Sequence, residues 1–268
     1  MDLLGLLREG ELTVEGRLVV ASNLTLLGRV THGDRSVRCV YKPVSGEQPL
    51  WDFPDGTLAA REAAAHEVSA AAGWNLVPPT VLRPDGPFGA GMCQAWMDQG
   101  AADVGAGRVD VVPASAPVDG WLPILEAVDG DGSPVLLVHA DDPGLRRLAV
   151  FDAVVNNADR KGGHVLTGDR AVAPSAAEVV GVDHGVCFNV DPKLRTVLWG
   201  WAGSALTPAE RTELERLRAL VDGSLGVTLG ALLADEEVAA TAARIDALLA
   251  RGTMPSPEGR MPVPWPVF

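Results

Sequence analysis

Asn156, Asn157, Asp159, Arg160, Lys161 and His164 fall within nine residues of one another in the segment LAVFDAVVNNADRKGGH, residues 148–164. That density of hydrogen-bonding and charged groups is more than a connecting turn needs, and it describes a loop that presents side chains. Further on, the apolar, β-branched run from Val179 to Val182 ends in Asp183-His184-Gly185. A carboxylate at the end of a buried strand, followed by glycine, is placed to face a cation. Each segment alone also reads as a solvated turn, because Asp and Gly dominate turns. Together they match the bipartite arrangement of phosphoryl transfer, in which one aspartate handles the acceptor hydroxyl and another holds a divalent metal. A metal-hydrolase set of Asp159, His164, Asp183 and His184 is a separate reading, but no HxH or HExxH spacing accompanies it.

The elements that must position these groups are legible around them. Leu148, Phe151, Val154 and Val155 recur at helical spacing, so a helix leads into the first loop, and Gly162-Gly163 cannot prolong it. The alternating SVRCVYKP predicts a strand ending at Lys42 and Pro43. A helix is predicted from about Thr57, its N-cap, to Ala72, with Gly73 as the stop. It carries Glu62 and Glu67, about 500° apart at 100° per residue, so only one can face the strand lysine. A strand lysine paired to a helix glutamate positions the α- and β-phosphates of ATP in kinases. RLVVASNLTLLGRV predicts two strands flanking a polar hairpin with Ser22, Asn23 and Thr25, preceded by a short helix and a loop over residues 1–16.

NNADRKGGH followed by GVDHG resembles the catalytic and metal loops of the phosphatidylinositol 3/4-kinase-like branch of the protein-kinase-like superfamily, which includes HipA-type and Fam20-type kinases. REAAAHEVSAAAGWNLVPP is similar to the glutamate helix and Val-Pro-Pro of Fam20-like kinases, and that likeness places the family's glutamate on Glu62. The resemblance implies a two-lobed α+β kinase-like fold, with a small antiparallel-sheet N-lobe over residues 1–98 and a mostly helical C-lobe over 99–268. It implies ATP and Mg or Mn as cofactors. Asp159 falls on the catalytic aspartate and Asp183 on the metal aspartate. His164 stands five residues after Asp159, where the families carry a metal-binding Asn, and a neutral imidazole suits Mn or Zn better than Mg. By the same likeness Arg160 or Lys161 neutralises charge on the phosphoryl oxygens, Ser22, Asn23 and Thr25 line the phosphates, and Gln94, Trp96 and Met97 contact the adenine. The implied activity is transfer of the γ-phosphoryl group to a protein, lipid or small-molecule hydroxyl. A pseudokinase that binds nucleotide without turnover, or an AMP transferase, are the alternatives.

Composition narrows the partners. The 268 residues are 47% hydrophobic and 21% charged, an ordinary globular balance. A formal net charge of −13 repels nucleic acid and anionic membrane surfaces. Cys39, Cys93 and Cys187 lack ligand spacing and read as buried small hydrophobes in a reducing compartment. Neither a signal peptide nor an apolar stretch of about 18 residues is visible, so a cytoplasmic protein is expected. The chain further predicts a hairpin around Pro84–Gly89, an aperiodic insertion over 99–120, a structural His139, and helices starting at Thr207-Pro208 and running from Asp235 to Ala250. GEQPLWDFPDGTL reads as a packed loop or a substrate flap, and the proline-rich tail packs through Trp265 and Phe268 or stays free.

Overall fold

In the computed structural model, residues 1–18, 23–53, 58–99, 107–116, 118–259 and 261–268 are described. Ser22 and the expected N-cap Thr57 lie outside them. The chain is α+β with antiparallel sheets. Helix α1 (Leu3–Glu9) starts on Asp2, whose carboxylate accepts from Gly5 N, and strand β1 (Glu11–Arg17) follows at once. The strand therefore begins earlier than the sequence indicates, inside the stretch expected to be a loop. With β2 (Leu26–His32), β3 (Arg35–Pro43), β4 (Thr80–Arg83) and β5 (Gly91–Ala95) it forms a five-stranded sheet in the order β1-β2-β3-β5-β4.

Helix α2 (Leu58–Ala71) connects β3 to β4, and Gly73, at φ 73°, turns the chain out of it. The carboxylate of Glu47 accepts from the backbone N–H groups of Leu58 (3.2 Å) and Ala59 (2.8 Å). A loop glutamate thus satisfies donors that a helix start leaves orphaned.

The second part begins with a three-stranded sheet, β6 (Val109–Pro113), β7 (Trp121–Val128) and β8 (Pro134–Ala140), in the order β6-β8-β7. This corrects the expectation of an aperiodic insertion, since β6 lies within it, and adds a sheet to a half expected to be mostly helical. Helix α3 (Pro143–Val155) is capped by Asp142 and ends at Asn156 in the left-handed region, φ 54°. The short pair β9 (Val165–Thr167) and β10 (Val179–Gly181) carries the two loops of interest. Helices α4 (Pro208–Val221), α5 (Ser224–Gly230) and α6 (Asp235–Arg251) complete the chain, and Thr207 and Glu210 close a capping box at the start of α4.

Two apolar clusters hold the fold. One gathers Leu7, Val30, Tyr41, Cys93 and Met97 around the first sheet together with Val180 of β10. The other joins Phe151 and Leu148 of α3 to Leu214, Leu217 and Ile245, and it also takes Ala64, Ala65 and Val68 of α2. The second cluster thus takes residues from both sides of residue 98. The three cysteines are free and buried. No helix among the described residues is long and apolar enough to cross a membrane.

Candidate active site

Three elements converge on Lys42. From the end of β3, its Nζ lies 2.6 Å from Glu62 Oε1 of α2 and 2.8 Å from Asp183 Oδ1 in the loop after β10. Glu62 is buried, and its second oxygen accepts from His184 N at 2.9 Å. Asp183 stands in the left-handed region, φ 61°, a conformation that turns its carboxylate back toward the lysine. Lys42 holds that carboxyl far below the ordinary carboxylate range. The lysine in turn is raised by Asp183 and Glu62, which outweigh its desolvation.

The loop after α3 supplies the other wall. Asn157 Oδ1 accepts from Asp159 N at 2.9 Å, a turn that fixes the backbone of Asp159. Burial raises the Asp159 carboxyl and Asp183 adds to the rise, while Lys161, 3.4 Å away, opposes it. His164 Nδ1 lies 3.0 Å from Asp159 O, and its Nε2 lies 3.4 Å from Asp183 Oδ2. Burial lowers this imidazole to about 4, so it is neutral at pH 7. With Nδ1–H donated to the carbonyl, Nε2 presents a lone pair to a carboxylate oxygen. Two electron-rich atoms held that way fit a shared cation, and N and O donors of this type suit Mn or Zn as well as Mg. Among the described residues no group of three His, Cys, Asp or Glu side chains converges.

Arg160 is placed differently from the expectation. It is fully buried, and its fork meets Asp152 through two bonds of 2.9 Å, Nε to Oδ2 and Nη2 to Oδ1. Nη1 donates to Val182 O at 2.9 Å, and Nη2 lies 2.7 Å from His184 Nε2. A guanidinium with its donors spent inside the protein cannot face a phosphoryl group. It fastens the two loops to each other instead. Gly181 makes the approach possible, since a Cβ there would stand 2.9 Å from Arg160 Nη2. His184 is also buried, packs edge-on against Phe151, and is held neutral by burial and by Arg160.

The residues expected around the nucleotide are partly committed elsewhere. Gln94 is buried and donates to Thr80 Oγ1 at 2.8 Å, and Trp96 Nε1 donates to Asp98 at 3.0 Å. Met97 is buried in the apolar cluster of the first sheet. These side chains hold the sheet rather than offering free polar atoms to an adenine. Thr25 is buried and its hydroxyl donates to Asn23 O at 3.3 Å, while Asn23 Oδ1 accepts from Gln48 N at 2.8 Å. Asn23 therefore ties the β1–β2 connection to the loop that caps α2.

That loop reaches across to the second part of the chain, where Asp52 pairs with Lys193 at 2.9 Å. In the tail, Val267 O accepts from Gly162 N at 2.8 Å, and the Phe268 ring lies over Gly162 while Trp265 is exposed. His139 is structural, accepting from Gly200 N at 2.9 Å. Asp152 and His184 were not assigned to the Arg160 network from the sequence. Asp152 was detectable as a lone charge in the apolar run LAVFDAVV, a pattern that demands a buried partner.

Protein Rv2133c of Mycobacterium tuberculosis (strain ATCC 25618 / H37Rv) is 51% identical over 271 residues, an alignment covering 98% of this chain and 94% of that protein. The chain belongs to the family of that protein. No protein-family model and no solved structure matches it.

Proposed function

We propose that the chain is an ATP- and divalent-metal-dependent phosphotransferase with a two-lobed, kinase-like architecture, acting in the cytoplasm. One observation carries the reading: a strand lysine, a helix glutamate and a loop aspartate meet at Lys42 Nζ, within 2.6 and 2.8 Å. A lysine held by a glutamate grips the α- and β-phosphates, and the neighbouring aspartate holds metal. Asp183 and His164 would hold the cation. Bound there, it supplies neutralisation of charge on the phosphate oxygens.

Asp159 orients the acceptor hydroxyl and takes its proton, and burial lifts its carboxyl toward a more basic value, which favours that role. Lys161, the cation this loop leaves partly exposed, faces the charge that develops on the transferred group. The acceptor is a protein, lipid or small-molecule hydroxyl. His164 at the Asn position favours a second reading, a module that binds nucleotide without turnover.

Isothermal titration of ATP with Mg²⁺ or Mn²⁺ into wild type and Asp183→Ala tests the site. Metal-dependent binding that disappears in the variant is expected, and absence of binding to wild type with either metal would overturn the proposal. Once binding is established, ADP release marks phosphoryl transfer, pyrophosphate release marks AMP transfer, and neither marks the silent module.

A further inference from the structure

A cavity of about 440 Å³ opens between residues 192–199, one face of α6 and the tail residues 255–259 and 261. None of the residues of the Lys42–Asp183 cleft lines it. The volume lies within the range of small-molecule sites, about 300–1,000 Å³. Its described lining carries four cations, Lys193, Arg195, Arg244 and Arg251, against the single acid Glu258, in a chain whose net charge is −13.

The cations differ in how far they are already used. Lys193 turns to Asp52, 2.9 Å away, and lies over the ring of Trp51. Arg244 donates to Val154 O (2.9 Å), Asn189 O (3.1 Å) and Thr241 Oγ1 (2.8 Å), all of them neutral acceptors. Burial pulls its pKa down to about 10, the mark of a cation without a close counter-charge. Arg195 and Arg251 are exposed and make no ion pair among the described residues. The buried wall is apolar: Leu248 closes it, and Trp199, whose Nε1 is spent on Pro262 O at 2.8 Å, offers only its ring.

We propose that this cavity binds a small organic anion, a phosphate or carboxylate on an aromatic or aliphatic body, with Arg195 and Arg251 on the anion and Trp199 and Leu248 on the apolar part. The assignment stands independently of the nucleotide reading. Arg195 is also laddered to the candidate catalytic loop, its N donating to Asn157 O at 2.9 Å and its O accepting from Arg160 N at 3.0 Å. A ligand on Arg195 therefore sits one backbone ladder from Asp159.

The test is isothermal titration with 1-naphthyl phosphate and 1-naphthoate, with inorganic phosphate and 1-naphthol as partial ligands. One of the two organic anions is expected to bind at one per chain, unaffected by saturating Mg·ATP, while neither partial ligand matches it. The Arg195→Glu/Arg251→Glu variant, with an unchanged melting temperature because both side chains are at the surface, should bind about tenfold more weakly or worse. Arg195→Gln alone serves if the double variant does not fold, with a smaller loss in the same direction. Failure of both organic anions to bind, equal affinity in the variants, or displacement by ATP would overturn the assignment. Vesicles containing phosphatidic acid present the same group on a membrane, and the net charge predicts no binding to them. Vesicle binding without binding of the soluble anions would overturn the small-molecule assignment.

Discussion

Asp159 and Arg160 are neighbours in the chain and belong to two different ionic systems. Arg160 joins Asp152 and His184 in a network from which water is excluded, every one of these side chains being fully buried. Asp159 and Lys161 face the other way, toward the Lys42–Glu62–Asp183 cluster, where the Asp183 side chain keeps 48% of its exposure. The first system has every carboxylate oxygen matched inside the protein. The second sets three carboxylates, Asp159, Glu62 and Asp183, against two lysines, which leaves one negative charge and free oxygen atoms for a cation. Opposite pointing of adjacent residues lets one loop be both a structural rivet and a chemical surface.

The largest loss is expected at the rivet. Arg160→Met leaves the Asp152 carboxylate buried without its counter-ion, and a loss of about 3–5 kcal/mol in urea unfolding is expected. The paired change Asp152→Leu/Arg160→Met should recover much of that, because an apolar pair removes the uncompensated charge. Recovery of nothing would mean that the bonds from Arg160 to Val182 O and His184 matter more than charge balance.

The two systems each hold a histidine, which allows a finer test. His164 in the cleft and His184 in the network are both lowered below 6.5 chiefly by burial, His164 to about 4. Between pH 6.5 and 4 the unfolded chain carries a proton on His164 that the folded chain lacks, so stability falls as pH falls through that window. The slope is about 1.4 kcal/mol per pH unit for each such histidine. Urea unfolding of His164→Asn at pH 7, 6 and 5 should show a slope shallower by about that amount, with the contribution of His184 retained. An unchanged slope would mean that His164 takes up its proton at the same pH folded and unfolded, so that burial does not hold its Nε2 lone pair free below pH 6.5.

The difference between the two systems was only partly legible in the sequence. Element boundaries set by local chemistry could be read: the Thr207–Glu210 capping box, the Gly73 stop, and the strand ending in Lys42. β6 could not, because Val109 and the short alternation after it are embedded among Gly, Asp and Pro, and only pairing with β8 makes it a strand. The burial of Arg160 was hidden for a related reason. Its partner Asp152 lies eight residues away on α3, and a string of polar residues does not say which face of a loop is closed by tertiary packing. Gln94 illustrates the same limit, since its bond to Thr80 depends on the register of β4 on β5.

The smallest expected change in stability belongs to Lys161. Its pair with Asp159 is 3.4 Å long and partly exposed, so Lys161→Ala should alter urea unfolding by less than about 1 kcal/mol. Its effect should be concentrated in the chemistry. Lys161 opposes the burial that raises the Asp159 carboxyl, and removing it raises that carboxyl further. In the proposed phosphotransfer, the acid limb of kcat/KM then moves to higher pH, because Asp159 must be ionised to take the acceptor proton. The plateau should fall about 10²-fold if Lys161 also meets the charge of the transferred group. A lowered plateau with a fixed acid limb would separate Lys161 from Asp159. A shifted limb with an unchanged plateau would leave the lysine only the task of tuning its neighbour.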